Sequence, residues 1–120
     1  MNFTKLVPNI FYKDIRSGLK TFVDCLEFTI SYSELNTKRP FCVVEKDGLR
    51  ANLFQDAKYA GEHNPEFRLV TEDIEAVYAK VKSDFPELLH PNLREITLRP
   101  WGAKEFAVTD DQIGIVIQQW

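Results

Sequence analysis

Glu66 and Arg68, two residues apart in EFRLV, have the residue types and spacing best suited to chemistry in this 120-residue chain. In an extended strand Glu66, Arg68 and Val70 share one face, while Phe67 and Leu69 share the other. A carboxylate on the wall of a partly closed apolar cleft is a candidate general base, which makes Glu66 the residue to abstract a proton. The plainer reading is a solvated strand face that binds nothing. His63, in KYAGEHN, and His90, in the proline-bounded PELLHPNL, read as surface loop residues. Cys25 and Cys42 have neither a CxxC nor a ligand-like spacing and read as small buried reduced thiols. Ser31 and Ser33 have no histidine near them in sequence, and no GxSxG, Walker loop, HExxH or dinucleotide-binding glycine pattern occurs. Aromatic rings are the other chemical resource. Nine Phe, four Tyr and two Trp are enough to line a pocket as well as fill a core.

Two stretches would position such residues, and each reads as strand, acidic cap and amphipathic helix. In LVPNIFYKDIRSGLKTFVDCL, Val7 to Tyr12 are β-prone, Asp14 is an N-cap, and Ile15, Leu19, Phe22, Val23 and Leu26 fall on one helical stripe. In EFRLVTEDIEAVYAKVKSDF, Phe67 to Thr71 form the strand, Asp73 is the cap, and Ile74, Val77, Tyr78, Val81 and Phe85 repeat the stripe. The pairs Asp14-Ile15 and Asp73-Ile74 lie 59 positions apart. FCVVEKDGLRANLFQ, Phe41 to Gln55, then matches EFAVTDDQIGIVIQQ, Glu105 to Gln119, at an offset of 64. Each is an apolar strand, a polar turn and a second apolar strand ending at glutamine, and so a β-hairpin. The change of offset places about five extra residues in the second half, and PELLHPNL is their natural seat.

The expected fold class is therefore α+β, a single domain of two tandem βαβββ modules forming a curved mixed sheet around a cleft. The modules span residues 1–58 and 64–120, with KYAGEHN as the link. Composition sets the surroundings. The chain is 44% hydrophobic and 28% charged, an ordinary soluble balance. Its 15 basic and 18 acidic residues are interspersed, giving a net charge of −3 and no basic stripe, so no nucleic-acid partner is expected. No apolar run approaches the ~20 residues that span a bilayer, and MNFTKLVPNIFYKDI lacks the long apolar core of a signal peptide. No membrane partner and a cytoplasmic location are expected.

The duplicated pattern, ending in RPWGAKEFAVTD, resembles the vicinal-oxygen-chelate superfamily of glyoxalase I, extradiol dioxygenases, fosfomycin-resistance enzymes and bleomycin-resistance proteins. It is most similar to the bleomycin-resistance branch. Arg99, Pro100, Trp101, Gly102, Glu105, Phe106, Ala107 and Asp110 match that branch's signature, and the likeness runs from about Leu6 to Ile117. One departure is the branch's Asp-Pro-x-Gly-Asn turn, which here is Asp110-Asp111-Gln112-Ile113-Gly114, so a turn of different geometry is expected.

The resemblance carries functional expectations. Enzymes of the superfamily hold a divalent ion on four strand positions, which fall here on Val7, Leu53 (Asn52 in a register slipped by one), Glu66 and Ile117. Three of the four are apolar, so neither a metal nor another cofactor is expected and no catalytic residue is assigned. The branch implies sequestration of a planar aromatic small molecule, cationic or neutral, with the bleomycin class as its type. Trp101 matches the branch's groove tryptophan, Tyr32 lies near an aromatic position of its second strand, and Phe67 near a tryptophan of its central strand. Glu66, Arg68, Arg99 and Gly102 complete the expected ligand site. The alternative is a glyoxalase-like lyase, isomerase or dioxygenase with a degenerate metal site. The branch also implies a homodimer that exchanges the N-terminal strand, here MNFTKLVPNIFYK.

Overall fold

The structure is a computed structural model and describes every residue from Met1 to Trp120. The chain divides into two compact units, Met1–His63 and Asn64–Trp120. Each holds one four-stranded mixed sheet, and the two sheets share one topology. The architecture is α+β.

In the first unit β1 (Asn9–Tyr12) leads into α1 (Ile15–Leu19), which widens into a π turn over Lys20–Cys25. β2 (Thr29–Glu34), β3 (Phe41–Lys46) and β4 (Leu49–Gln55) follow, and the sheet order is β1-β4-β3-β2. β1 runs parallel to β4, and the other neighbours are antiparallel. Local chemistry explains these boundaries. The Asp14 side chain accepts from the Arg16 N–H and caps α1. The β3–β4 hairpin turns on Asp47-Gly48, at φ 53° and 80°, the left-handed pair that a two-residue turn of matching twist requires.

The buried face of the helical segment passes through Ile15, Gly18, Thr21, Phe22, Cys25 and Leu26, while Leu19 and Val23 of the expected stripe are half-buried. Two features explain the rotation. Gly18 rests on the Tyr12 ring, where a Cβ would stand 2.5 Å from Cε2. Thr21 can be buried because its Oγ1 donates to the Ser17 carbonyl at 3.1 Å. Cys25 and Cys42 are buried free thiols, and burial pushes the Cys42 thiol up.

In the second unit β5 (Glu66–Val70), α3 (Ile74–Asp84), β6 (Thr97–Leu98), β7 (Lys104–Thr109) and β8 (Gly114–Gln119) repeat the scheme, in the order β5-β8-β7-β6. Asp73 caps α3 through the Ala76 N–H. Ile74 and Val81 are buried, and the Tyr78 ring meets Phe106 edge-on at 5.1 Å, so α3 covers the face of Phe106, Ile115 and Ile117. The β7–β8 turn is closed by Asp110, whose Oδ1 accepts from Gln112 N–H at 2.8 Å and Ile113 N–H at 2.9 Å.

The segment read as a link carries α2 (Ala57–Glu62), capped by Asp56 through the Tyr59 N–H. PELLHPNL is more than a surface insertion. Leu88 and Leu89 are buried, Leu89 bridges Val108, and the Ala107 carbonyl and N–H bond His90 and Leu93. It thus lines β7 beyond the two-residue β6.

Strand-end glutamines join helix to sheet in both units. Gln55 Oε1 accepts from the Ile15 N–H at 3.0 Å, and Gln119 Oε1 from the Ile74 N–H at 2.8 Å. Replacing Gln119 by Leu leaves the buried Ile74 N–H without its acceptor and should cost about 1–3 kcal/mol in urea unfolding. Gly18→Ala should cost a similar ~1–3 kcal/mol by overpacking against Tyr12. An unchanged midpoint in either variant would refute the corresponding contact.

Candidate functional site

The alternation of β5, β7 and β8 puts two sets of side chains on opposite faces of the second sheet. Glu66, Arg68 and Val70 share the open face with Val116, Gln118, Glu105 and Ala107, as the pairings Arg68↔Val116 and Glu105↔Gln118 require. Glu105 is the unexpected member. It is only 1% exposed, a carboxylate buried within a sheet. A buried charge is tolerated only when partners replace its water.

Four side chains do so. Glu105 Oε2 accepts from Gln118 Nε2 at 2.8 Å, Arg68 Nη1 at 3.1 Å and Trp101 Nε1 at 3.1 Å. Arg99 Nε stands 3.5 Å from Oε1, too far for a hydrogen bond, and has no other partner. The Arg99 guanidinium lies over the Trp101 ring, 4.9 Å from its centroid. Trp101 is therefore fixed at its Nε1 edge and covered by Arg99 while remaining 51% exposed. Gly102, at φ 97°, lets this turn close, with Gly102 N–H donating to Arg99 O and Arg99 N–H to Ala103 O. Its role in the geometry is to shape the turn.

Arg68, Arg99 and Trp101 are thus brought together by Glu105, a residue that matched the signature but was not singled out for the site. Glu66 is exposed on the same face, and with Arg99, His90 and Asn92 it lines a pocket of about 230 Å³. His90 is half-buried there, its Nδ1 accepting from the Asn92 N–H at 3.0 Å, so it is no plain loop residue. Phe67 does not join them. Its register partner is Ile115, which places it on the α3 side of the sheet, opposite Glu66.

Tyr32 belongs to the first unit, where it begins a row of rings across the open face of that sheet. Centroids run from Tyr32 to Phe41 at 5.7 Å, to Phe54 at 5.8 Å, to Phe11 at 5.4 Å and on to Tyr59 of α2 at 5.1 Å. The negative charge of Glu34, and a hydrogen bond to it, push the Tyr32 phenol up. Phe11, Phe41 and Phe54 flank a pocket of about 590 Å³ bounded by Thr37–Pro40. Their alternation within the strands was the signal that would have found them.

The open face also tests the superfamily's metal. Leu53 and Ile117 are buried on the helix sides, so the register that assigned them as ligand positions is off by one residue. In the first unit the paired open-face residues are Asn9 and Asn52, bonded amide to amide at 2.9 Å. In the second, Glu66 pairs with Gly114 and Arg68 with Val116. Taken unit by unit, two amides bonded to each other in the first, and in the second one carboxylate beside a guanidinium committed to Glu105, do not make a donor set for a divalent ion. No cluster of three or more His, Cys, Asp or Glu side chains with metal-binding geometry occurs elsewhere in the chain.

No family model and no curated protein matches the chain in sequence. Solved structures do match its fold. TioX from Micromonospora sp. ML1 is 11% identical, with 98% of each chain covered and a TM-score of 0.79. The bleomycin-binding protein of Streptomyces verticillus, in complex with copper(II)-bleomycin, is 17% identical over 98% of this chain and 96% of that one, with a TM-score of 0.70. A glyoxalase/bleomycin resistance protein/dioxygenase superfamily member from Sphaerobacter thermophilus is 16% identical over 99% and 98%, with a TM-score of 0.71. The repeated βαβββ unit, its mixed four-stranded sheet and these likenesses agree, and the chain has the fold of the glyoxalase/bleomycin resistance protein/dioxygenase superfamily.

Proposed function

We propose that residues 1–120 act as one non-catalytic binding domain that sequesters a planar aromatic small molecule, in the manner of a bleomycin-resistance protein. The observation that carries this reading is Trp101. A large flat ring is half in solvent yet held in one orientation by Glu105 and Arg99. A pre-positioned ring loses little freedom when a ligand stacks on it, which is how a modest contact becomes useful affinity. The ring row from Tyr32 to Tyr59 offers further stacking surface of the same kind. The bleomycin-binding neighbour supports ligand sequestration as a use of this fold.

A second reading is favoured by the pocket that Glu66 shares with His90. A carboxylate and an imidazole on one wall suit an enzyme with Glu66 as general base. Mass spectrometry of bound ligand separates the two: recovery of the ligand unchanged after prolonged incubation supports sequestration, and a converted product supports catalysis.

We also infer a homodimer in which the N-terminal segment crosses to a second copy. Met1, Phe3 and Leu6 are exposed ahead of β1, itself a sheet edge, and such apolar side chains gain from a partner. Light scattering should give twice the 13.9 kDa chain mass, and a monomer would refute the dimer. Trp101→Ala should weaken binding of bleomycin or of a simple naphthalene by about 1–3 kcal/mol in calorimetry. Glu105→Ala should do the same indirectly, by releasing the ring, and should also raise quenching of tryptophan fluorescence by acrylamide. Unchanged affinity in both variants would remove Trp101 from the site.

A further inference from the structure

The ion pairs around Trp101 do not balance. Arg68 and Arg99 both face the single carboxylate of Glu105, whose Oε2 is already satisfied by three donors. One arginine with Gln118 and the indole N–H would suffice to keep that carboxylate buried. The second guanidinium has no carboxylate of its own: Glu66 lines a pocket with Arg99 but holds neither arginine in an ion pair. Both cations are reachable, with side chains 48% exposed at Arg68 and 36% at Arg99. Arg99 Nε is buried and out of a ligand's reach, but its two Nη groups hold no hydrogen bond, and Arg68 donates only through Nη1.

We propose that Arg68 and Arg99 form an anion-recognition site beside Trp101, and that the bound molecule is an aromatic carboxylate. This rests on the binding reading above and deepens it by giving the ligand its charge. The planar oxyanion would take the unused guanidinium donors while its ring lies against the indole, since an arginine fork matches carboxylate geometry. A monoanion suits the one guanidinium that Glu105 leaves without a hydrogen-bonded carboxylate, whereas a phosphate dianion would exceed it. The assignment differs from the cationic ligand that the resemblance implies, because charge is local and screened over about 8 Å in physiological salt.

Calorimetric titration of the full chain with four probes sharing one ring tests this: 2-naphthoate, 2-naphthylmethanol, 2-naphthylmethylamine and 2-naphthyl phosphate. Naphthoate should bind about 10- to 100-fold more tightly than the alcohol, the range for a charge-assisted hydrogen bond, and the amine should bind more weakly than either. Arg68→Gln should bring the ratio of naphthoate to alcohol affinity down to about one, whatever its effect on ring stacking common to both probes. Should that variant fail to fold, Glu66→Gln serves instead, because Glu66 is exposed and bonds nothing. Removing its negative charge should raise the ratio of naphthoate to alcohol affinity roughly 3-fold, a like-charge effect at partly screened distance. Equal affinity for all four probes, or tightest binding of the amine, overturns the anion site but leaves the binding function standing. Tightest binding of the phosphate overturns the carboxylate assignment. Binding of none of the four overturns both.

Discussion

A carboxylate that is 1% exposed on the open face of the second sheet is the constraint around which that face is built. Water would solvate Glu105 far better than any apolar neighbour, so each surrounding element contributes a donor. β5 brings Arg68, β8 brings Gln118, and the turn before β7 brings Arg99 and Trp101. The turn can do so because Gly102 takes a φ of 97°, which returns the chain from Arg99 to Ala103. One buried charge thus fixes a strand edge, a turn geometry and the orientation of an indole. An apolar residue at position 105 alone would strand the buried Gln118 amide and leave both arginines without their counter-charge, and nothing would then orient Trp101.

Beneath that face lies a skeleton the two units share. Each ends its last strand on a glutamine whose side chain accepts from the first N–H of the helix. The bond links parallel strand, helix start and hairpin in a single contact, so the register of each sheet and the seat of each helix are set together. Besides the insertion before β6 and the π turn after α1, the units differ chiefly on their open faces. The first carries Asn9, Asn52 and a row of rings, and the second carries Arg68, Val116 and the Glu105 network. The helix sides are apolar in both units.

This division explains what the sequence disclosed. Caps at Asp14 and Asp73, the Asp47-Gly48 turn and the two glutamine-ended hairpins depend on neighbours a few residues away, and each lies where local pattern put it. The insertion was located correctly, yet its pairing with β7 is a long-range fact that proline content hides. Faces were harder. Ligand positions at Leu53 and Ile117 failed because a one-residue slip exchanges the two sides of a strand. The conflict between Phe67 and Glu66 was visible as alternation, and only the pairing of Phe67 with Ile115 decides it. Glu105 was legible as a signature residue but not as a buried one. An acidic side chain among apolar neighbours reads as solvent-facing until its distant partners are known.

The same reasoning bears on why charge organises a face that apolar packing could have filled. Buried ion networks add little stability compared with hydrophobic substitutes, so their value lies in orientation. Here both guanidiniums are half in water, where their attraction for a ligand is weakened by solvent. A planar molecule covering Trp101 would displace that water and lower the local dielectric. The attraction between its charge and the arginines would then grow as the ring seats. At the proposed site stacking and charge recognition would reinforce each other, and neither alone would distinguish one flat ring from another.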